Sequence, residues 1–141
     1  MKTTIDINFS KFYKNIDVAM SRVFRGTKKA TTQACKEILE DSLTEVPRDT
    51  DTLASSGFYE VTGSYKNFEG RVGYGGNGDP ENPKDGLRTS EYAVAVHEDL
   101  YAAHPIGKAK YLEDPVRRYA QKFPRAIMKE VDMAMSDLSD K

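Results

Sequence analysis

Apolar residues recur at helical spacing over two long stretches of the chain, with short alternating or continuous apolar runs between them. Phe12, Ile16, Met20 and Val23 form one stripe, which resumes after Gly26 at Ala30, Ala34, Ile38, Leu39 and Leu43. The spacing predicts a long N-terminal helix, N-capped by Ser10 and ended before Pro47, either kinked or split at Gly26. Towards the C-terminus Val116, Tyr119, Ala120, Phe123, Ile127, Val131, Met135 and Leu138 trace a second stripe. Asp114-Pro115 reads as an N-cap followed by proline at the first helical position. Pro124 has no N–H for the Ala120 carbonyl, so a kink or a restart is expected there.

Between the stripes the period changes. Thr3 to Phe9 alternates (Ile5, Ile7, Phe9) as a short strand would. Pro47-Arg48-Asp49-Thr50-Asp51-Thr52-Leu53 is a helix start, capped by Asp49 or Thr50 and closed by Gly57. Phe58–Gly63 and Asn67–Gly75 read as a hairpin turned at Gly63–Asn67, with Phe68, Val72 and Tyr74 on one face and Glu69 and Arg71 on the other. Glu91–Glu98 is apolar on both faces and reads as a third, covered strand. Gly75–Ser90, rich in Gly, Pro, Asn and Asp, is a long exposed loop, and His104-Pro105-Ile106-Gly107 a tight turn. Segregated helices and strands imply α+β: a long N-terminal helix and a C-terminal helix packed on one face of a small antiparallel sheet. The 141 residues fit one domain, 1–141.

Charge narrows the class. The net charge is −1, and acidic residues outnumber basic ones only between residues 46 and 108, so no overall basic footprint for nucleic acid is present. No apolar run reaches the roughly 20 residues of a membrane helix, and the N-terminus has no apolar core of a secretory signal. The single cysteine, Cys35, has no partner for an internal disulfide and suits a reducing compartment.

Candidate chemistry is sparse. His97, Glu98 and His104 suggest a metal, but the histidines are seven apart and straddle an element end, whereas a zinc-protease helix needs them four apart. Ser55, Ser56 and Cys35 lack a nucleophile elbow. Gly73–Gly78 lacks the Lys-Ser/Thr of a phosphate loop. Asp79, Glu81 and Asp85 lack the closing Glu of a calcium loop. Arg118, Lys122 and Arg125, three to four apart, form a basic group with Lys108, Lys110 and Arg117. That group suits DNA phosphates, an acidic partner or plain solvation. The residues therefore point to no enzyme and no cofactor.

What stands out is an ordered set of non-catalytic segments: Val46-Pro47-Arg48-Asp49-Thr50 with Leu53 and Ser56, then Tyr92-Ala93, His97-Glu98, His104-Pro105 and Gly107 to Pro115. This set resembles, along nearly the whole chain, the minor tail components of tailed bacteriophages, described as neck, head–tail connector, tail-completion or minor capsid proteins. The family's Val-Pro-x-Asp-Thr-Gly-x-Leu segment is matched except that Asp51 stands at the usual glycine.

The resemblance implies a non-enzymatic virion subunit, assembled in the host bacterial cytoplasm. It would form a homo-oligomeric ring, six-fold by expectation, between a head-closure or adaptor protein and a tail terminator or tail tube. DNA would pass through the lumen without specific binding, and no membrane is involved. The assembly contacts expected on this reading are Pro47, Asp49, Thr50, Leu53, Asn77, Asp79, Asp85, Arg88, Tyr92, His97, Glu98, His104, Pro105, Gly107, Lys108, Lys110 and Tyr111. Arg118, Lys122 and Arg125 are the expected DNA or partner contacts. The rival readings are a phage DNA-binding or metal-dependent nuclease-like protein, and an antitoxin-like or chaperone-like protein of a prophage.

Overall fold

The computed structural model describes residues 9–64, 67–76 and 78–139. The expected strand over 3–9 lies outside the described residues, Phe9 excepted. The elements are α1 (Ser10–Glu45), α2 (Thr52–Ser55), β1 (Phe58–Ser64), β2 (Asn67–Gly73), α3 (Thr89–Glu98), α4 (Glu113–Ala120) and α5 (Phe123–Ser139). The class is α+β, as the periodicity indicates.

Helix α1 is the spine. Its 36 residues span about 54 Å at 1.5 Å per residue, and it runs unbroken through Gly26. The glycine serves packing instead of bending: a Cβ there would lie 3.2 Å from Glu130 Cβ, so it lets α5 approach closely. The strands form a two-stranded antiparallel sheet in the register Phe58↔Gly73 to Ser64↔Asn67, with a two-residue connection. The hairpin lies on α1. Gly70 faces the helix, where a Cβ would stand 2.6 Å from Cys35 Sγ, and Phe68 meets Phe24 edge-on at 5.5 Å.

Helices α4 and α5 run back along α1, from Arg118 beside Glu45 to Glu130 beside Lys29. They are separate helices: α4 stops at Ala120 and α5 restarts at Phe123 with Pro124 in its first turn, where the missing N–H costs nothing. The inward face of α5 is shifted from the expected stripe. Ala134 is buried and Met135 is half-exposed, while the side chain of Leu138 lies outside the described residues. Helix α4 starts at Glu113, so Leu112, not Asp114, occupies the N-cap position.

The expected third strand, Glu91–Glu98, is helix α3. Read at 3.6 residues per turn, Thr89, Tyr92, Ala93, Val96 and His97 fall on one face and are buried or partly buried, while Val94 is 70% exposed. Glu91 closes the first turn, accepting the Arg88 backbone N–H at 2.6 Å. Alternation among short apolar residues carried the strand reading; the Thr89-Ser90-Glu91 helix start outweighs it.

Candidate functional site

The segments singled out in the sequence converge on one end of the molecule, around Tyr111. This side chain is 2% exposed; its hydroxyl donates to the Ala93 carbonyl at 3.0 Å, and its ring meets Tyr74 and His97 edge-on at 5.2 and 5.0 Å. With Val46, Leu53, Ala54 and Ala93 it forms the main apolar cluster. Burial pushes the Tyr111 phenol far above its ordinary value, and that of Tyr74 upward despite its 2.7 Å hydrogen bond with Ser42.

Chain crossings fix the arrangement. The Arg48 N–H donates to the Ile106 carbonyl (3.2 Å), and the Lys108 N–H to the Glu45 carbonyl (2.9 Å). The turn 104–107 is therefore stitched to the end of α1 on both sides. Gly107, at φ +89°, presses its backbone on Pro47. The Lys110 N–H donates to the His97 carbonyl at 2.8 Å, with Lys110 itself at φ +58°.

His97 holds α4 in place. Its Nε2 accepts the Glu113 backbone N–H at 3.3 Å, one of the donors that a helix start leaves unpaired. A neutral ring then carries its proton on Nδ1, 2.8 Å from Glu98 Oε1. Around it runs a network of ion pairs. Lys110 pairs with Glu98 and Glu113, Glu113 with Arg117, Lys108 with Glu45 and Asp114, and Arg118 with Glu45. The Lys110 ammonium holds Glu98 and Glu113 below their ordinary carboxylate values, and Lys108 does the same for Asp114. The two lysines are raised in return.

A second part of the surface is built by the 74–90 connection, which folds on itself. Asn82 N–H donates to the Leu87 carbonyl (2.8 Å), and Asp79 accepts from both the backbone and hydroxyl of Ser90. Thr89, fully buried, donates to the Pro80 carbonyl, and Arg88 bridges to Glu81. Lys84 reaches Asp49 at 2.5 Å and ties this loop to the 47–51 segment. Between the two lies an open depression of about 300 Å³ with a floor of Leu53, Tyr92 and Val96 and a rim of Asp49, Asp85 and His104. The Nε2 of His104 is buried there without a hydrogen-bond partner.

The expected residues thus divide. Pro47, Leu53 and Tyr111 belong to the core that shapes the surface. Asp49, Asp85, Arg88, Glu98, Pro105, Gly107 and Lys108 are exposed on it, and Thr50, Asp79, Tyr92, His97, His104 and Lys110 are partly so. Asn77 lies outside the described residues. The basic group does not share one helix face: Arg118 is on α4 in ion pairs with Glu45 and Asp41, Lys122 is in the break, and Arg125 is on α5.

Sequence reasoning missed Glu45, Ser42 and Thr89 as structural partners. All three depend on contacts that local spacing does not show, Thr89 on the Pro80 carbonyl and the other two on partners more distant in sequence. Among the described residues no group of three or more His, Cys, Asp or Glu side chains is placed to hold a metal ion, and no helix is long and apolar enough to cross a membrane. The chain matches no protein-family model, no curated protein and no solved structure.

Proposed function

We propose that this protein is a structural subunit of a tailed-phage neck, a ring-forming tail-completion protein that joins head and tail around the DNA channel. One observation carries the reading. The segments that resemble the family, 46–56, 92–98 and 104–115, fold against one another around Tyr111 into a single hydrogen-bonded module with a polar, ion-paired surface. Backbone-to-backbone stitching of short loops is what a docking element needs, because pre-ordered contacts lose less entropy on binding. The near-neutral charge suits a conduit that lets DNA slide, since affinity for phosphates grows with each neutralising cation.

The module offers two contact areas to neighbours in this reading: the depression rimmed by Asp49 and Asp85, and the charged rim of Lys108, Glu98 and Lys110. Reversing the first by Asp49→Lys with Asp85→Lys alters exposed side chains and leaves the apolar core intact. Because it also breaks the Asp49–Lys84 pair, a Lys84→Met variant serves as the control for loss of that tie and should join heads to tails normally. In a phage carrying that double variant, filled heads and free tails should accumulate unjoined, counted by electron microscopy of the lysate. A normal yield of joined particles contradicts the assignment.

A further inference from the structure

The N-terminal third of α1 has an apolar face that none of the described elements covers. The end of α5 comes abreast of Arg22–Arg25, where Met133 and Ser136 share a depression with them. Beyond that point Phe9, Phe12, Tyr13, Ile16 and Met20 are 53%, 58%, 63%, 42% and 48% exposed. At 100° per residue these five fall within an arc of about 100°, so they form one stripe on one side of the overhanging helix. Farther along α1 the same stripe becomes Thr27, Thr31, Ala34 and Ile38, the floor of an open apolar groove of about 590 Å³. Its walls are Phe68 and Gly70 of β2 on one side and Val116, Tyr119, Phe123 and Ile127 of α4 and α5 on the other.

We infer that the overhang of one copy of this chain, through Phe12, Ile16 and their neighbours, seats in the groove of a second copy. The argument is one of shape, area and supply. A groove with an aliphatic and aromatic lining takes an apolar helix face, read as anchors at i, i+4 and i+8, and Phe12, Ile16 and Met20 have that spacing. The aromatics each offer about 100 Å² of still-exposed surface, and Ile16 and Met20 somewhat less. Counted on both partners, one seating buries about 900 Å², and a reciprocal pair about twice that, within the range of a specific interface. A reciprocal pair also removes from water both apolar surfaces that each isolated chain leaves open, and patches of this size mark interaction sites. The inference goes beyond the neck reading, because it needs only two copies of the chain and no other virion component.

Sedimentation velocity of the full chain over a concentration series tests it. The unmodified chain should shift from monomer to dimer or larger species as concentration rises. The pair Phe12→Asp with Ile16→Asp, and separately Val116→Arg in the groove wall, should each remain monomeric at concentrations where the unmodified chain associates. All three positions are exposed in the single chain, and an unchanged far-ultraviolet circular dichroism spectrum shows that each variant folds. Met20→Asp is a second overhang variant if the double one does not. Mixing the overhang variant with the groove variant leaves one intact seating, half the area of the reciprocal pair, so a one-to-one dimer should form but at higher concentration than the unmodified chain needs. A chain monomeric throughout, a Val116→Arg variant that associates like the unmodified chain, or a mixture that stays monomeric overturns the inference. So does association that appears only after residues 1–8 are removed, since the chain's own first segment would then be the occupant.

Discussion

Gly107 and Pro47 stand backbone against backbone: a Cβ on Gly107 would lie 2.5 Å from the Pro47 nitrogen and 2.6 Å from its Cα. Gly107 is also at φ +89°, a region that L side chains rarely adopt. Two segments distant in the sequence are thus locked by the absence of a side chain. Gly107→Ala meets main-chain atoms, which cannot rotate away, and should lower stability by about 2–4 kcal/mol. Urea denaturation followed by tyrosine fluorescence reads this as a lower midpoint; a midpoint unchanged within error removes the contact from the account.

Tyr111 separates packing from hydrogen bonding. Tyr111→Phe keeps the ring against Tyr74 and His97 and loses only the donation to Ala93, so a cost of about 1 kcal/mol is expected. Tyr111→Ala also opens a cavity at the centre of the module and should cost about 3–5 kcal/mol. Equal losses for the two variants would show that the ring is not a packing centre.

The ion-pair network sets the pH limits of stability. Glu98, Glu113 and Asp114 are held below their ordinary values of 4.5, 4.5 and 3.8, so the stability they contribute is present above those values and is lost as pH falls through the lower folded-state ones. Lys108 and Lys110 are raised above 10.5, and Tyr111 above 10.0. Their contributions are complete below those values and vanish as pH rises through the folded-state ones. Thermal midpoints should therefore be flat across neutral pH and fall at both ends. Lys110→Met should shallow the acid limb, because Glu98 and Glu113 lose the ammonium that depresses them; an acid limb identical to that of the unmodified chain contradicts this.

Asp51 stands where a glycine is the expected residue after Thr50, and it lies in the left-handed region at φ 57° as the N-cap residue of α2. A glycine adopts that backbone without strain, so Asp51→Gly should change stability by no more than about 1 kcal/mol, the Arg48 ion pair being exposed. Asp51→Val, β-branched, should cost at least about 1–2 kcal/mol. Chemical denaturation of both variants checks the order; a valine variant as stable as the glycine one would contradict it.

The long-period features were legible in the residues because they are dictated locally. The α1 helix, the existence of α5 up to the shift of its inward face at Ala134, the hairpin turned after Ser64 and the stop before Pro47 all follow from spacing and turn chemistry. Helix α3 was not, because a run such as Tyr92-Ala93-Val94-Ala95-Val96 satisfies both periods, and only packing against Tyr111 decides which face is inside. For the same reason Gly26 looked like a breaker: its reason for being glycine is Glu130, across the α1–α5 contact. The site was legible as a list of segments but not as a shape, since the stitching of Pro47 to Gly107 and of His97 to Glu113 depends on pairs far apart in the chain. Tyr111, expected at an interface, is internal.

Quantitative mass spectrometry of tailed particles, purified by density gradient from a lysate of cells that carry this gene, tests the central claim most directly. A ring at the neck predicts peptides of this chain in joined particles at a small, fixed number of copies each, the same from one preparation to the next. Particles that are complete and infectious yet hold none of it would contradict the account.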